Sequence, residues 1–290
     1  MEEKKASELV LSDGKVYHLD LSPDEISDTI ILVGDQFRVE KVSAFFDSIE
    51  FRVQKREFVC HTGFYRGKRL SVVSTGIGTD NVDIVLNELD ALVNFDLAKR
   101  REKEVKSSLT FVRIGTCGAM QKETPPGSYI LSTGSFGLDN VAHFYDIEYT
   151  EDEAEIVHAF RGHVGFPETL NPYFTLADEG LNEKLARHAN VTQGLTVTAS
   201  GFYGPQGRRL RLPLKIQGLN DAFARFKHAG HHVANFEMES SAIFALSRGL
   251  GHRAATICLA LANRATGEFL EDYDQPMEQL ISHVLNSLLE

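Results

Sequence analysis

Short apolar runs alternate along this chain with segments in which apolar residues recur every three or four positions. Short continuous runs are typical of buried strands, and helical spacing is typical of amphipathic helices. We expect strands over residues 29–33, 109–114, 128–133, 194–200 and 255–262, and two more within 58–74 around a turn at 66–68. We expect helices over residues 39–49, 81–95, 177–190, 239–250 and 277–290, and a solvated helix end and loop over the charged residues 96–108.

The alternation of strands with helices predicts an α/β architecture, in which helices cover a largely parallel or mixed sheet. No linker divides the sequence, so we expect one domain over residues 1–290, with an N-terminal extension at 1–16. Ligands of such sheets bind beside the loops that follow the carboxyl ends of the strands. Functional residues are therefore expected directly after the apolar runs.

The composition is that of an ordinary folded protein, with 42% hydrophobic and 24% charged residues in a chain of 290. The 30 Lys and Arg residues against 41 Asp and Glu give a net charge of −11, which argues against a nucleic-acid partner. The charged start lacks the apolar segment of a secretory signal, and no apolar run is long enough to predict a membrane span. Three widely spaced cysteines without a C-x-x-C pair favour a reduced, cytoplasmic location.

Two glycine-containing segments with arginines follow predicted strands. Gly34 and Asp35 come directly after the first strand, and Arg38 follows them. A glycine allows close approach of an anion to the backbone, and a helix start supplies free N–H groups, although an ordinary turn with a surface arginine has the same pattern. Arg113 lies in the apolar strand, and we expect a turn over residues 115–118. A buried guanidinium needs an anion, which is either a carboxylate of this chain or the phosphate of a ligand.

Two later segments carry groups suited to a nucleoside. Residues 202–208, FYGPQGR, combine an aromatic ring with Gln206 and Arg208, whose amide and guanidinium can hydrogen-bond the carbonyls and N–H of a base. Glu237 and Glu239 lie at a helix entry, where carboxylates suit hydrogen bonds to vicinal hydroxyls. Each segment alone has a plain structural explanation, as an irregular loop or as a helix cap.

Taken in order, these segments resemble the nucleoside phosphorylase family and, within it, the uridine phosphorylases. The resemblance extends from about residue 17 to 264, through YHLDLS, GDQFRVEK, KREF, STGIG, RIGTCGAM, GFYGPQGR, NFEMESSAIF and ANR. It implies a single-domain three-layer αβα sandwich with a central mixed sheet. It also implies phosphorolysis of uridine to uracil and ribose 1-phosphate in pyrimidine nucleoside salvage, with deoxyuridine and thymidine left open as substrates.

The resemblance assigns roles to the residues that match the family's motifs. Inorganic phosphate would be bound by Gly34, Arg38, Arg113 and Thr116, and by Arg56 of a neighbouring subunit. The ribose would be bound by Met238 and Glu239, and by His18 of the neighbour. The base would be bound by Phe202, Gln206 and Arg208, and the catalytic residues would be Arg113, Arg208 and Glu239. Phosphate would stabilise an oxocarbenium-like ribose, and Arg208 would stabilise the departing base.

The implied reaction needs no covalent nucleophile, metal or cofactor, because phosphate is a co-substrate. Residues shared with a neighbour imply a homo-oligomer whose minimal active unit is a dimer, and a hexamer is left open. A monovalent cation at the dimer interface is also left open. The sequence has Gln36 where the family usually has proline, Cys117 where a small or hydroxyl residue is common, and poorly matched segments at 155–175 and 209–218.

Three other functions compete with this interpretation. Purine nucleoside phosphorylases of this fold usually carry a Ser-Asp pair where this chain has Asn263 and Arg264, so these residues favour a pyrimidine. A hydrolytic nucleosidase would use water, and the full arginine set argues against it. A nucleoside-binding module without catalysis is the third alternative, and Glu239 and Arg113 argue against that.

Overall fold

One large sheet runs through the computed structural model, which describes residues 3–187 and 191–290. In chain order, the strands are β1 (Leu11–Ser12), β2 (Lys15–Val16), β3 (Thr29–Val33), β4 (Ser48–Lys55), β5 (Phe58–Tyr65), β6 (Lys68–Ser74), β7 (Phe95–Asp96), β8 (Arg101–Glu102), β9 (Thr110–Ala119), β10 (Tyr129–Gly137), β11 (Tyr173–Leu176), β12 (Val191–Thr198), β13 (Lys227–His228), β14 (His231–Glu237) and β15 (Arg253–Asn263). The helices are α1 (Gln36–Ser43), α2 (Thr79–Asn94), α3 (Glu151–Val164), α4 (Glu179–Ala186), α5 (Leu219–Arg225), α6 (Ser240–Gly249) and α7 (Asp274–Ser287).

The large sheet is mixed and has the strand order β13-β14-β12-β10-β15-β9-β3-β6-β5-β4, with β11 also paired to β10. Strands β3, β9 and β15 are parallel to one another, whereas β10 pairs antiparallel with β15. The short pairs β1–β2 and β7–β8 lie outside this sheet. Within the described residues, no helix is long and apolar enough to cross a membrane.

Both faces of the sheet are covered by helices, as the side chains of β3 illustrate. Ile30 and Leu32 pack into the core cluster that includes α2 and α6, whereas Ile31 and Val33 pack into the cluster that includes α1 and α7. Successive side chains of a strand point to opposite faces, so a strand buried on both faces requires a continuous apolar run. The expected three-layer αβα sandwich with a central mixed sheet is therefore confirmed.

Strand β9 changes neighbour along its length. Residues 110–114 pair in parallel with β3, whereas Gly118 and Ala119 pair antiparallel with β14. On its other edge, β9 remains paired with β15 from Thr110 to Ala119. Residues 115–117 therefore lack a partner on one edge among the described strands, and the sheet opens there.

The turn expected over residues 115–118 is wrong. These residues continue β9 because their backbone pairs with β15, with Gly115 opposite Cys258 and Cys117 opposite Ala260. Gly115 allows close packing rather than a change of chain direction, since a Cβ atom there would overlap the guanidinium of Arg113.

Most other expected elements are present, with shifted ends. Helix α1 ends at Ser43, and β4 begins at Ser48, inside the expected helix 39–49. The charged stretch 96–108 includes the short strand β8. Helix α4 ends at Ala186, and residues 188–190 of the expected helix lie outside the described residues.

The pairing of β5 with β4 depends on the absence of a side chain at Gly63. A Cβ atom at Gly63 would overlap the Ser48 carbonyl oxygen and lie 2.9 Å from Ile49 Cα, both of which are backbone atoms of β4. We expect Gly63→Ala to lower the free energy of unfolding by about 1–3 kcal/mol, because the two strands must move apart. Denaturant unfolding followed by circular dichroism measures this change.

Gly162 on α3 supplies the matched control. It is exposed, and a Cβ atom there would meet nothing within 4 Å. Gly162→Ala should therefore raise the free energy of unfolding by about 0.5–1 kcal/mol, because alanine favours a helix. Equal stability of the two variants would contradict the close packing at Gly63.

Candidate active site

A cavity of about 770 Å³ opens where β9 lacks a neighbour. Its walls come from the end of β3, the start of α1, the middle of β9, the end of β14, the loop around residues 202–208 and the end of β15. Carboxyl ends of several strands thus meet at one opening, which is the usual place for a ligand in an α/β sheet. The cavity has the volume that small-molecule sites require.

Arg113 projects from β9 into this cavity, and only 4% of it is exposed. Its Nη2 donates to Glu239, and its Nη1 lies 3.3 Å from Glu237 Oε2 and 3.2 Å from Cys258 Sγ. Burial is the strongest single influence and disfavours the charge, but the attractions of Glu239, Cys258 and Glu237 together outweigh it and raise the pKa of Arg113 above its ordinary value. Arg113 is thus a permanent buried cation held by two carboxylates.

The two carboxylates have different surroundings. Glu237 accepts a hydrogen bond from Thr198 Oγ1 at 2.5 Å and from the backbone N–H groups of Glu239 and Ser240 at 3.0 Å, so it caps the start of α6. Glu239 Oε1 accepts from the Gly78 N–H at 2.8 Å, before α2. Burial raises the pKa of Glu239 and Glu237 adds to this, although Arg113 opposes the shift.

Arg38 supplies a second buried guanidinium at the same cavity. It lies on α1, is 8% exposed, and its Nη1 donates to the Ile114 carbonyl at 3.3 Å. Burial lowers its pKa, and the charge of Arg113 lowers it further. In the described part of the chain, Arg38 forms no ion pair with a carboxylate. The nearby Asp35 attracts the charge without forming an ion pair, and a buried cation that lacks a direct ion pair is costly, so this corner of the cavity favours an anion.

Another part of the cavity wall combines an aromatic ring with amide and guanidinium groups. Gln206 is buried, and Arg208 stacks on Phe202 with its Cζ 3.8 Å from the ring centroid. Arg208 Nη1 donates to the Phe202 carbonyl at 2.7 Å and to Gln206 Oε1. Burial and the nearby Arg264 lower the pKa of Arg208 to about 10, so it stays protonated at neutral pH.

Arg264, directly after β15, supports the loop that carries Gln206. Its Nη2 donates to the Gln206 carbonyl at 3.0 Å, and its side chain packs over Gly118, where a Cβ atom would lie 3.1 Å from Arg264 Cγ. Gly118 thus lets Arg264 approach β9 and hold the backbone of Gln206.

Comparison with known proteins identifies the family. The family model of the phosphorylase superfamily matches residues 28–290. The chain belongs to this superfamily. It is 28% identical to a uridine phosphorylase of Thermococcus kodakarensis over 96% of this chain and 88% of that protein. It is also 28% identical to a purine nucleoside phosphorylase of Oceanobacillus iheyensis, over 87% of this chain and 88% of that protein.

A solved structure resembles this phosphorylase closely over its whole length. It is the crystal structure of a Trypanosoma brucei nucleoside phosphorylase, which shows uridine phosphorylase activity. The TM-score is 0.88 and the sequence identity 31%, with 97% of this chain and 98% of the other covered.

Nine of the eleven predicted binding residues of this phosphorylase line the one cavity. They are Gly34, Arg38, Arg113, Thr116, Phe202, Gln206, Arg208, Met238 and Glu239. His18 and Arg56 do not line it. Both lie beside Tyr17, whose ring centroid is 4.9 Å from that of His18 and 6.0 Å from Arg56 Cζ. Their expected place in a neighbour's site stays a prediction.

Several lining residues received no role from the sequence. Glu237 and Glu239 were the two candidate carboxylates. The helix-capping explanation applies to Glu237, whereas Glu239 faces the cavity. Phe269 lines the cavity and is 65% exposed, but no motif surrounds it. Asn81 also lines it, from the first turn of α2. A short segment such as STGIG indicates that a helix starts there. It does not indicate which cavity that helix borders.

Cys117 lines the cavity, yet its surroundings do not suit a nucleophile. Burial raises the pKa of the Cys117 thiol well above its ordinary value, and Cys258 adds to the shift. A thiol that stays protonated at neutral pH is a poor nucleophile. This agrees with a packing role for Cys117 in the small cluster that includes Ala119, Ala234 and Cys258.

We expect iodoacetamide at pH 8 to alkylate the folded protein slowly at every cysteine, because Cys60, Cys117 and Cys258 are all free and buried. Mass spectrometry of timed samples measures the labelling, and the same reaction in urea, where all three should react, is the control. Alkylation of Cys117 in the folded protein as fast as in urea would contradict the packing role.

Proposed function

We propose that this phosphorylase cleaves the N-glycosidic bond of uridine with inorganic phosphate, giving uracil and ribose 1-phosphate. One observation carries the proposal: Arg38 and Arg113 are both buried at one cavity, and Arg38 has no carboxylate partner in the described part of the chain. Phosphate is an anion small enough to meet both guanidinium groups. Bidentate hydrogen bonds from arginine suit its oxygens.

Phosphate binding in this proposal uses the end of β3 and the middle of β9. Gly34 offers a backbone N–H, Thr116 offers a hydroxyl, and Arg38 and Arg113 supply the charge. The phosphate then lies beside the ribose, where one of its oxygens attacks C1′ as the bond to the base breaks. The ribose carries positive charge in this transition state, and the phosphate anion stabilises it.

Ribose binding uses Glu239 and Met238. Each Glu239 oxygen already accepts one hydrogen bond, from Gly78 or from Arg113, and a carboxylate oxygen has a second lone pair for a ribose hydroxyl. The two acceptors on one carboxylate match two vicinal hydroxyls. Met238 contributes an apolar side chain to the same wall of the cavity.

Base binding uses the loop that carries Phe202, Gln206 and Arg208. Arg208 stacks on the Phe202 ring and donates to Gln206, so all three side chains lie together at the proposed position of the uracil. The uracil gains negative charge as it leaves, and the Arg208 guanidinium stabilises this charge most in the transition state. The proposed catalytic residues are therefore Arg113, Arg208 and Glu239.

The surroundings of Asn263 support a pyrimidine over a purine. Its Nδ2 donates to the Gln121 and Thr124 carbonyls, and its Oδ1 accepts from the Ala265 and Thr266 N–H groups. The carboxamide thus holds two loops together, and the next residue, Arg264, stands where the Ser-Asp pair of the purine enzymes has its acid and supplies no carboxyl group to a purine N7.

A neighbouring subunit completes the site in this proposal. Arg56 would reach the phosphate and His18 the ribose 5′ side of a partner's cavity, which makes a homodimer the minimal active unit. Within the described residues, no group of three or more His, Cys, Asp or Glu could hold a metal ion. The absence of a metal and a cofactor stays a prediction, as do the cytoplasmic location and the role in salvage.

A panel of nucleosides tests the proposal. We expect uridine to be cleaved only when phosphate or arsenate is present, and cytidine and inosine to be poor substrates, because each leaves buried polar groups of the base site unpaired. The measurement is kcat/KM for uridine, thymidine, cytidine and inosine, with and without phosphate, and with products identified. Equal turnover without phosphate would favour the hydrolytic nucleosidase, and inosine as the best substrate would favour the purine phosphorylase.

Gly115→Ala tests the position of Arg113 without removing its charge. The new Cβ would overlap the Arg113 guanidinium and lie 2.8 Å from Cys258 Sγ, so the guanidinium must move. We expect kcat/KM for uridine to fall at least ~100-fold, about the effect of losing one charge-stabilising donor. Gly180→Ala on α4 is the matched control, since its Cβ would have only an ordinary contact of 3.5 Å with Asp178. Unchanged activity of a folded Gly115→Ala variant would contradict the role of Arg113.

Mixed dimers test the shared site. Arg56→Ala and Glu239→Ala should each be nearly inactive, but an equal mixture of reassembled subunits should regain about one quarter of wild-type activity. Half of the dimers would then be mixed, and one of the two sites in each would be intact. Mixing Gln206→Ala with Glu239→Ala is the control. Each change removes a residue that a subunit supplies to its own cavity, so a mixed dimer would have no intact site. Absence of recovery in the first mixture, with both variants folded and mixed dimers formed, would contradict shared sites.

A further inference from the structure

The backbone and ring of His18 are held by one carboxylate. Glu88 of α2 accepts hydrogen bonds from the His18 N–H at 2.9 Å and from the Leu19 N–H at 2.8 Å. The same carboxylate lies 2.6 Å from His18 Nδ1. The Glu88 side chain is 14% exposed and that of His18 is 28% exposed, so the contact is largely screened from water while part of the ring remains accessible.

A carboxylate at this position determines which ring nitrogen carries the proton. An ionised carboxylate only accepts hydrogen bonds, so Nδ1 must donate to Glu88. In the neutral ring, Nε2 is then the nitrogen with the free lone pair. The orientation of the ring is fixed as well, because the Tyr17 ring packs edge-on against it with centroids 4.9 Å apart.

We propose that Glu88 is a positioning residue that fixes the tautomer and orientation of His18, so that Nε2 accepts a hydrogen bond from the 5′ hydroxyl of a nucleoside in a partner subunit. This inference rests on the proposed function. The tautomer sets the direction of this hydrogen bond, in which the hydroxyl donates to Nε2, and the fixed ring orientation sets the position at which the hydroxyl is bound. Glu88 would thus favour nucleosides with a 5′ hydroxyl without touching the substrate.

The location of Glu88 separates this role from catalysis in its own chain. The carboxylate lies in the middle of α2, whereas the start of that helix borders the cavity at Asn81. Neither Glu88 nor His18 lines the cavity of its own chain. We therefore expect the effect of Glu88 on the reaction to pass through His18.

The test compares uridine with 5′-deoxyuridine, which lacks only the 5′ hydroxyl. For the wild-type protein, kcat/KM should be higher for uridine. Glu88→Gln keeps the side-chain length but replaces one acceptor oxygen with a donor, and it should lower the uridine to 5′-deoxyuridine ratio by up to about tenfold, as expected for losing one hydrogen bond between uncharged groups. Both nucleosides are measured with the same protein sample, so partial loss of folded protein lowers both values equally and leaves their ratio unchanged. Glu88→Asp, which retains the charge on a shorter side chain, should give an intermediate ratio.

A double-mutant cycle tests whether Glu88 acts through His18. His18→Ala should remove the preference for uridine, and adding Glu88→Gln to that variant should not lower the ratio further. Glu278→Gln, an exposed change on α7, is the matched control and should keep the wild-type ratio. A wild-type ratio in Glu88→Gln, or a ratio unaffected by His18→Ala, would overturn the inference while leaving uridine phosphorolysis intact. Failure of the wild-type protein to cleave either nucleoside would instead overturn the proposed function.

Discussion

The buried contact of Arg113 with Glu237 and Glu239 is the interaction on which the rest of the site depends. Burial of an ion without a partner costs several kcal/mol, so a guanidinium in the middle of β9 requires carboxylates from elsewhere in the chain. They come from the end of β14 and the start of α6, and each has further hydrogen bonds to a backbone N–H. Arg38 then adds a second positive charge without adding a carboxylate. An arriving phosphate would meet both guanidinium groups, and the proposed Arg56 of a neighbour would add a third.

The topology of the sheet creates the space for this ion cluster. Strand β9 pairs with β3 over its first half and with β14 at its end, so it is open on one edge at residues 115–117. Glycine at 115 makes room for the Arg113 guanidinium beside the backbone, and Gly118 makes room for Arg264. The same stretch of strand thus borders the proposed phosphate site on one side and the proposed base site on the other.

Local sequence pattern predicted the continuously apolar strands and several amphipathic helices, but not a strand whose apolar residues are interrupted. Strand β3 is a continuous apolar run because both its faces pack against helices. Strand β14 was missed because His231, His232 and Asn235 interrupt its apolar residues. Arg113 and Glu239 were both candidates, but their contact joins residues 126 positions apart, which only the pairing of strands reveals. The role of Glu88 was also missed, because its partner His18 lies 70 positions away.

The central claim is that an oxygen of phosphate, held by Arg38 and Arg113, forms the new bond at C1′. Turnover of uridine with phosphate labelled in all four oxygens with ¹⁸O, in ordinary water, tests it most directly. The account predicts ribose 1-phosphate that retains all four labelled oxygens, including the one bonded to C1′, as seen by mass spectrometry. Free unlabelled ribose as the first product would contradict it, because the attacking oxygen would then have come from water.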